Sequence, residues 1–229
     1  MTSIYRKAKQ KTGKKLPGRA VTPDEIRGLL RVCGKGSAGL RNAAFIAVCA
    51  GAGLRCFEAL GLMASHIEKT ELGTVIRVIR GKGGKSRISA LMPEFVPIVD
   101  RWTERRRCLG INGRSPLFCG ITKSLKENTL GGNRGTFGRF ISTSLMRSTL
   151  SRLARKAKIE CRVHVHGLRH GMATAWAAAG IELRAISQQL GHASTAVTDR
   201  YLQRLNPSNL MVAASSVQMI SKPVLKNSY

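Results

Sequence analysis

The chain has 229 residues, of which 43% are hydrophobic, enough to bury a core and to exclude global disorder. Lys and Arg number 39 against 12 Asp and Glu, a formal net charge of +27. That excess is beyond any solubility margin and implies a polyanionic partner, with nucleic acid ahead of an anionic membrane surface or an RNA-rich assembly. The six cysteines form no C-x-x-C pair, no secretory segment opens the chain, and no apolar run is long enough to span a bilayer. A cytoplasmic protein with reduced thiols is expected.

Residues 1–20 carry seven basic side chains and no acidic one, and read as a flexible arm. Order is expected from Thr22, an N-cap followed by Pro23 and by Glu25 as the partner of a capping box. Ile26, Leu29, Leu30 and Cys33 then fall on one helical face. Gly34 to Gly39 suggest a turn, and Leu40–Gly51 a second, buried helix. Arg55 follows in the apolar run Gly53-Leu-Arg-Cys-Phe-Glu58, where an unpaired charge would be costly. The plain explanation is a surface pair with Glu58 at i,i+3.

Residues 66–91 change to period-two, β-branched character. Thr74–Ile79 predicts a strand, Gly81–Lys85 a glycine-lysine turn, and Ser86–Leu91 a returning strand. Pro93 opens a helix to about Cys108, ending in a basic run. Residues 109–142 are glycine-rich, basic and irregular in pattern. Ser144–Lys158 predicts an amphipathic helix with Leu145, Leu150, Leu153 and Ala157 on one side and basic residues opposite. Leu168, Met172, Ala175 and Ala179 repeat at helical spacing, placing Arg169 and His170 in the first turn of a buried helix that Gly180 stops. Leu183, Ile186 and Leu190 mark the next helix, closed at Gly191, and Thr195–Leu205 carries Tyr201 on a short one. Residues 208–220 are apolar at helical spacing, a tail helix that packs on its own domain or on a neighbour.

Two histidine-bearing turns, an arginine and a tyrosine on short helices can converge on one phosphate. His164-x-His166-x-x-x-His170 also has metal-ligand character, but no nearby cysteine or carboxylate completes a site and Arg169 would set a cation beside the metal. The order His166-Gly-Leu-Arg169-His170, Leu190-Gly-His192, Tyr201 resembles the C-terminal signature of the tyrosine recombinases, the phage-integrase family. Gly53-Leu-Arg-x-x-Glu-x-x-x-Leu62 is similar to its first arginine box, and Gly81-Lys-Gly-x-Lys85 to its lysine-bearing hairpin. Gly167 and Gly171 depart mildly from the commoner residues there.

The resemblance implies a mostly helical α+β fold with a small antiparallel sheet. It implies a basic arm over 1–21, a catalytic domain over 22–205, and a tail over 206–229 with a docking helix. The N-terminal core-binding domain of most members is expected to be missing, as in the fimbrial-switch invertases and some minimal phage integrases. The implied catalytic set is Arg55, Lys82, His166, Arg169, His192 and Tyr201, with Lys85 competing with Lys82 and Glu58 in support. By the same resemblance Tyr201 attacks phosphorus to give a 3′-phosphotyrosyl link, and no cofactor, metal or ATP is needed. The implied partners are double-stranded DNA, further copies of the chain in a tetrameric synapse, and an accessory DNA-bending protein. The expected setting is the nucleoid, without a membrane. A DNA-binding regulator with a reduced site and a type IB topoisomerase-like enzyme remain as alternatives.

Overall fold

The computed structural model describes residues 19–79, 86–122 and 137–192. Its first helix, α1 (Pro23–Arg31), begins as the sequence predicts. Thr22 Oγ1 accepts from the amide of Glu25, and the Glu25 carboxylate accepts from the amide of Thr22 at 2.9 Å. The second helix, α2 (Ser37–Gly51), starts within the expected turn, with Gly36 as its N-cap. Residues 44 to 50 are all buried, as an all-round apolar helix requires. It forms the axis of the domain, packed between α4 (Val96–Cys108) and α6 (Val165–Ala178). Pro93 opens a short 3-10 turn through Phe95, and the α-helix proper starts at Val96.

Three strands stand where the sequence marks two. β1 (Ile67–Thr70), β2 (Gly73–Val78) and β3 (Arg87–Leu91) form an antiparallel sheet in that order. Its register sets Ile76 opposite Ser89 and Val78 opposite Arg87. Thr74, Ile76 and Val78 turn inward, and so do Ser89 and Leu91 on β3, while Ile88 is exposed. The turn with Lys82 and Lys85 lies outside the described residues.

The irregular segment after α4 is held by isolated backbone bridges, such as the Leu117 amide donating to the Leu62 carbonyl at 2.7 Å, and by side chains. Trp102 Nε1 donates to the Leu117 carbonyl at 2.8 Å, and Arg41 Nη1 to that of Cys119 at 3.1 Å. Arg106 donates to the carbonyls of Asn112 and Pro116. Two of the chain's arginines thus serve its own backbone rather than a partner. Phe45 and Phe118 meet edge-on, with ring centroids 5.5 Å apart.

Helix α5 (Thr143–Lys156) is capped by Ser142, whose hydroxyl accepts from the amide of Leu145 at 3.1 Å. Leu150 and Leu153 face inward as expected and Ala157 is half-buried, but Leu145 stands outside that face. Met146, Thr149, Leu150, Leu153 and Ala154 point inward, and Leu145 is 45% exposed. The i,i+3 and i,i+4 steps run from Met146, one residue further on. The outer face carries Arg147, Arg152, Arg155 and Lys156.

Helix α6 starts at Val165, so Arg169 and His170 lie in its second turn and not its first. The amides of the helix start therefore belong to the Val165–Gly167 turn, and Arg169 acts through its side chain. A break at Gly180, with φ +76°, leads to α7 (Leu183–Leu190), which closes on left-handed Gly191. Residues 19–21 lie against α6, where the amide of Val21 donates to the Gly167 carbonyl at 2.9 Å. A Cβ on Gly171 would stand 2.3 Å from the Val21 carbonyl oxygen, so the glycine permits this approach.

Candidate active site

The site forms where the loop before α3 (Cys56–Leu60), strand β3, and helices α6 and α7 converge. At its base lies Glu58, whose side chain is fully buried. Its carboxylate accepts from the Arg55 amide and from Arg55 Nη1, each at 2.8 Å. It also accepts both Nη groups of Arg87, at 2.8 and 2.9 Å, a bidentate fork. Arg169 Nη1 lies 4.0 Å from the same carboxylate. Burial opposes ionisation here, but the hydrogen bonds from Arg87 and from the Arg55 amide outweigh it and hold the carboxyl down to about 2. The Arg55–Glu58 contact is therefore no surface pair. It is part of a buried cluster in which arginines outnumber carboxylates.

Arg169, only 2% exposed, is fixed by neutral acceptors. Nη1 donates to the Gly53 carbonyl at 2.6 Å and Nη2 to that of Leu190. Carbonyls orient the guanidinium without cancelling its charge. Gly53, at φ +65°, makes the approach feasible, because a Cβ there would stand 2.3 Å from Met172 Cε. Arg55 keeps 19% of its side chain exposed, so the cluster meets solvent on the Arg55 side.

His192 follows the left-handed turn of Gly191, and its Nε2 lies 3.0 Å from Arg169 Nη2. A guanidinium can only donate, so Nε2 accepts and the ring proton belongs on Nδ1. Partial burial, then the charges of Arg169, Arg55, His166 and Arg87, pushes this imidazole down to about 4. It is neutral near pH 7. His166, in the first turn of α6, keeps an exposed edge and meets His170 edge-on with centroids 4.5 Å apart. Its pKa is also lowered, first by partial burial and then by Arg169 and Arg55. A neutral imidazole beside two cations can accept a proton.

Arg55, Arg169, His192 and His166 are thus brought to one corner by three separate stretches of chain. Lys82, Lys85 and Tyr201 lie outside the described residues. Sequence reasoning missed Arg87 and Gln189. The Gln189 amide donates to the carbonyls of Ala90 at 2.7 Å and Ala52 at 3.2 Å, and accepts from the Ala90 amide at 3.0 Å. Ser89 Oγ adds a bond to Ala52 O at 2.7 Å. Signals for both were present. Strand alternation in Ser86-Arg-Ile-Ser-Ala-Leu91 puts Arg87 on the side of Ser89 and Leu91, and Gln189 follows Ile186 by three on α7. Among the described residues, no three His, Cys, Asp or Glu side chains gather as a metal site would require.

The Phage integrase family model matches residues 19–206. The chain belongs to that family. It is 30% identical over 193 residues to the tyrosine recombinase XerC of Alcanivorax borkumensis, covering 83% of this chain and 57% of that protein. The crystal structure of XerA recombinase superposes with a TM-score of 0.63 at 26% identity, over 86% of this chain and 65% of that one. The XerH site-specific recombinase, in a post-cleavage complex with a palindromic difH substrate, superposes with a TM-score of 0.68 at 23% identity, over 90% of this chain and 55% of that one. The fold is that of a tyrosine recombinase catalytic domain, mostly helical with a small antiparallel sheet. The chain spans about half the length of the curated relatives it matches.

Proposed function

We propose that the protein is a site-specific DNA recombinase of integrase or invertase type, cutting and rejoining DNA through a 3′-phosphotyrosyl intermediate. The observation that carries this reading is the gathering of Arg55, Arg169 and His192 around buried Glu58, within the fold of a tyrosine recombinase catalytic domain. The phosphate enters from the Arg55 side. As the Tyr201 phenol attacks, charge grows on the non-bridging oxygens, and Arg55, His192 through Nδ1–H and the field of Arg169 stabilise it. Tyrosine is protonated near neutrality, with an ordinary pKa of about 10. His166 takes its proton, and a lysine of the 81–85 turn, Lys82 with Lys85 as competitor, protonates the departing 5′-oxygen. The P–O5′ bond breaks as the phosphotyrosine ester forms, so the ester conserves the bond energy. Neither ATP nor a metal enters this scheme.

The partner of the +27 charge is double-stranded DNA, a reading supported by the XerH complex with its palindromic difH substrate. Residues 22–205 act as the catalytic unit, 1–21 as a basic arm whose last three residues are seated on α6, and 206–229 as a tail linking copies within a tetrameric synapse. An accessory DNA-bending protein assists assembly, and the site of action is the nucleoid. The test is incubation with terminal DNA of the host element, followed by a denaturing gel for a covalent adduct and a search for recombinant junctions. Tyr201→Phe should abolish the adduct while leaving DNA affinity nearly intact. An adduct that survives in this variant, or maps elsewhere, overturns the assignment.

A further inference from the structure

We infer that Arg87 is a positioning residue that joins the two halves of the anion site, fixing Arg55 through Glu58 and His192 through the closing turn of α7. The geometry stands on the described residues alone, and its effect on strand cleavage rests on the recombinase reading. On one side, the Arg87 fork holds both oxygens of Glu58, and the same carboxylate holds Arg55. On the other, the Arg87 side chain runs beneath Gly191, where a Cβ would stand 2.5 Å from its Cδ and 2.8 Å from its Nε. Arg87 Nε also faces the Gln189 carbonyl at 3.4 Å. Gly191 directly precedes His192, whose amide donates to the Ser187 carbonyl at 3.0 Å. One side chain on β3 therefore spans from the loop that carries Arg55 to the turn that presents His192, with only 12% of it exposed.

Charge makes the link more than mechanical. Arg55, Arg87 and Arg169 around one carboxylate leave the cluster with two net positive charges. Without Arg87, Glu58 would pair with Arg55 one to one and draw it inward, away from a phosphate. Arg87 satisfies the carboxylate, which leaves the charge of Arg55 available for the ligand. A lysine could supply the charge but not the two parallel bonds.

The experiment compares Arg87→Met, Arg87→Lys and the double variant Glu58→Gln with Arg87→Met, each first checked for cooperative thermal unfolding. Single-turnover adduct formation is measured on an element-end duplex together with affinity for one site. Arg87→Met should slow adduct formation about 100-fold, as loss of one preorganised donor does, with affinity within about threefold. The double variant removes the carboxylate and restores two net positive charges, so it should recover at least about tenfold of that loss. Arg87→Lys should lie between wild type and Arg87→Met, and serves in its place should that variant not fold. A packing role alone would make the double variant worse rather than better. In parallel, imidazole NMR follows His192, which should titrate above its wild-type value in Arg87→Met and return toward it in the double variant. A wild-type rate in Arg87→Met, or a double variant no faster than the single one, overturns the inference. If wild-type protein forms no adduct, the recombinase reading fails. The NMR then decides alone, and an unchanged His192 titration in Arg87→Met refutes the link.

Discussion

Glu58 is the most deeply buried carboxylate among those that make the fold sensitive to acid. Its carboxyl is held down to about 2 when folded, against an unfolded value of about 4.3. A depressed folded pKa means stability that is present above the unfolded value and is lost as pH falls through the folded one. For a fully buried group this amounts to about 3 kcal/mol, lost between about pH 4.3 and 2. His192 and His166 add an earlier loss, because both are held in the neutral form. The unfolded chain binds their protons first, so stability declines from about pH 6.5 as His192 approaches its folded value near 4. Urea unfolding from pH 7.5 to 2.5 should show both phases, and Glu58→Gln should shrink the lower one, to which Glu25 also contributes. A profile flat between pH 6.5 and 4 would contradict the neutral histidines. At this scale the sequence showed Arg55, Arg169, His166 and His192 because each sits in a dense local motif. Arg87 and Gln189 act across about a hundred residues of chain, and only the folded structure reveals such partners.

The elements were legible where local chemistry marks their ends. Thr22 with Glu25 announces α1, and Gly191 closes α7, because cap and left-handed glycine are local requirements. The start of α6 was hidden, since His164 precedes it without a side-chain cap bond and apolar spacing alone does not locate a first turn. On α5 Leu150 and Leu153 lie inside as expected, but Met146 takes the inward place expected of Leu145, because the two fit a helical stripe equally well until the neighbours are known. Gly53 gives a prediction at this scale. Its left-handed φ and the nearness of Met172 Cε make Gly53→Ala both strained and crowded. A loss of about 1–3 kcal/mol is expected from thermal unfolding. Adduct formation should fall further than DNA affinity, because the displaced carbonyl is the one that orients Arg169. Equal falls in the two would mean that the loop does not position the guanidinium.

For the whole molecule, the net charge of +27 points to a polyanionic partner, and the structure divides its arginines between inward and outward roles. Arg41 and Arg106 are spent on carbonyls of the irregular segment, while α5 presents Arg147, Arg152, Arg155 and Lys156 outward. Removing residues 1–18 spares Val21, which is buried at 2%, yet deletes six of the seven basic side chains of the first 20 residues. Binding should weaken, and the plot of log affinity against log salt should flatten in proportion to the phosphates no longer neutralised. An unchanged slope would make the arm a passive leader. Truncation at Pro207 addresses the tail: single-site binding should persist while cooperative assembly and strand exchange are lost. Site-titration gel shifts with a recombination assay compare the two proteins, and equal behaviour would remove the tail from assembly.

The seat of residues 19–21 on α6 also sets a load path. Tension applied at Arg19 would meet its ion pair with Glu25 and then the Val21–Gly167 bond, in the first turn of the helix that carries His166 and Arg169. A handle attached at Arg19 would tug on α1 through Glu25 and on α6 through Gly167 before it reached the α2 core. In an optical trap this should register as a small extension step ahead of global unfolding. Gly171→Val, which leaves no seat for the Val21 carbonyl, should erase that step.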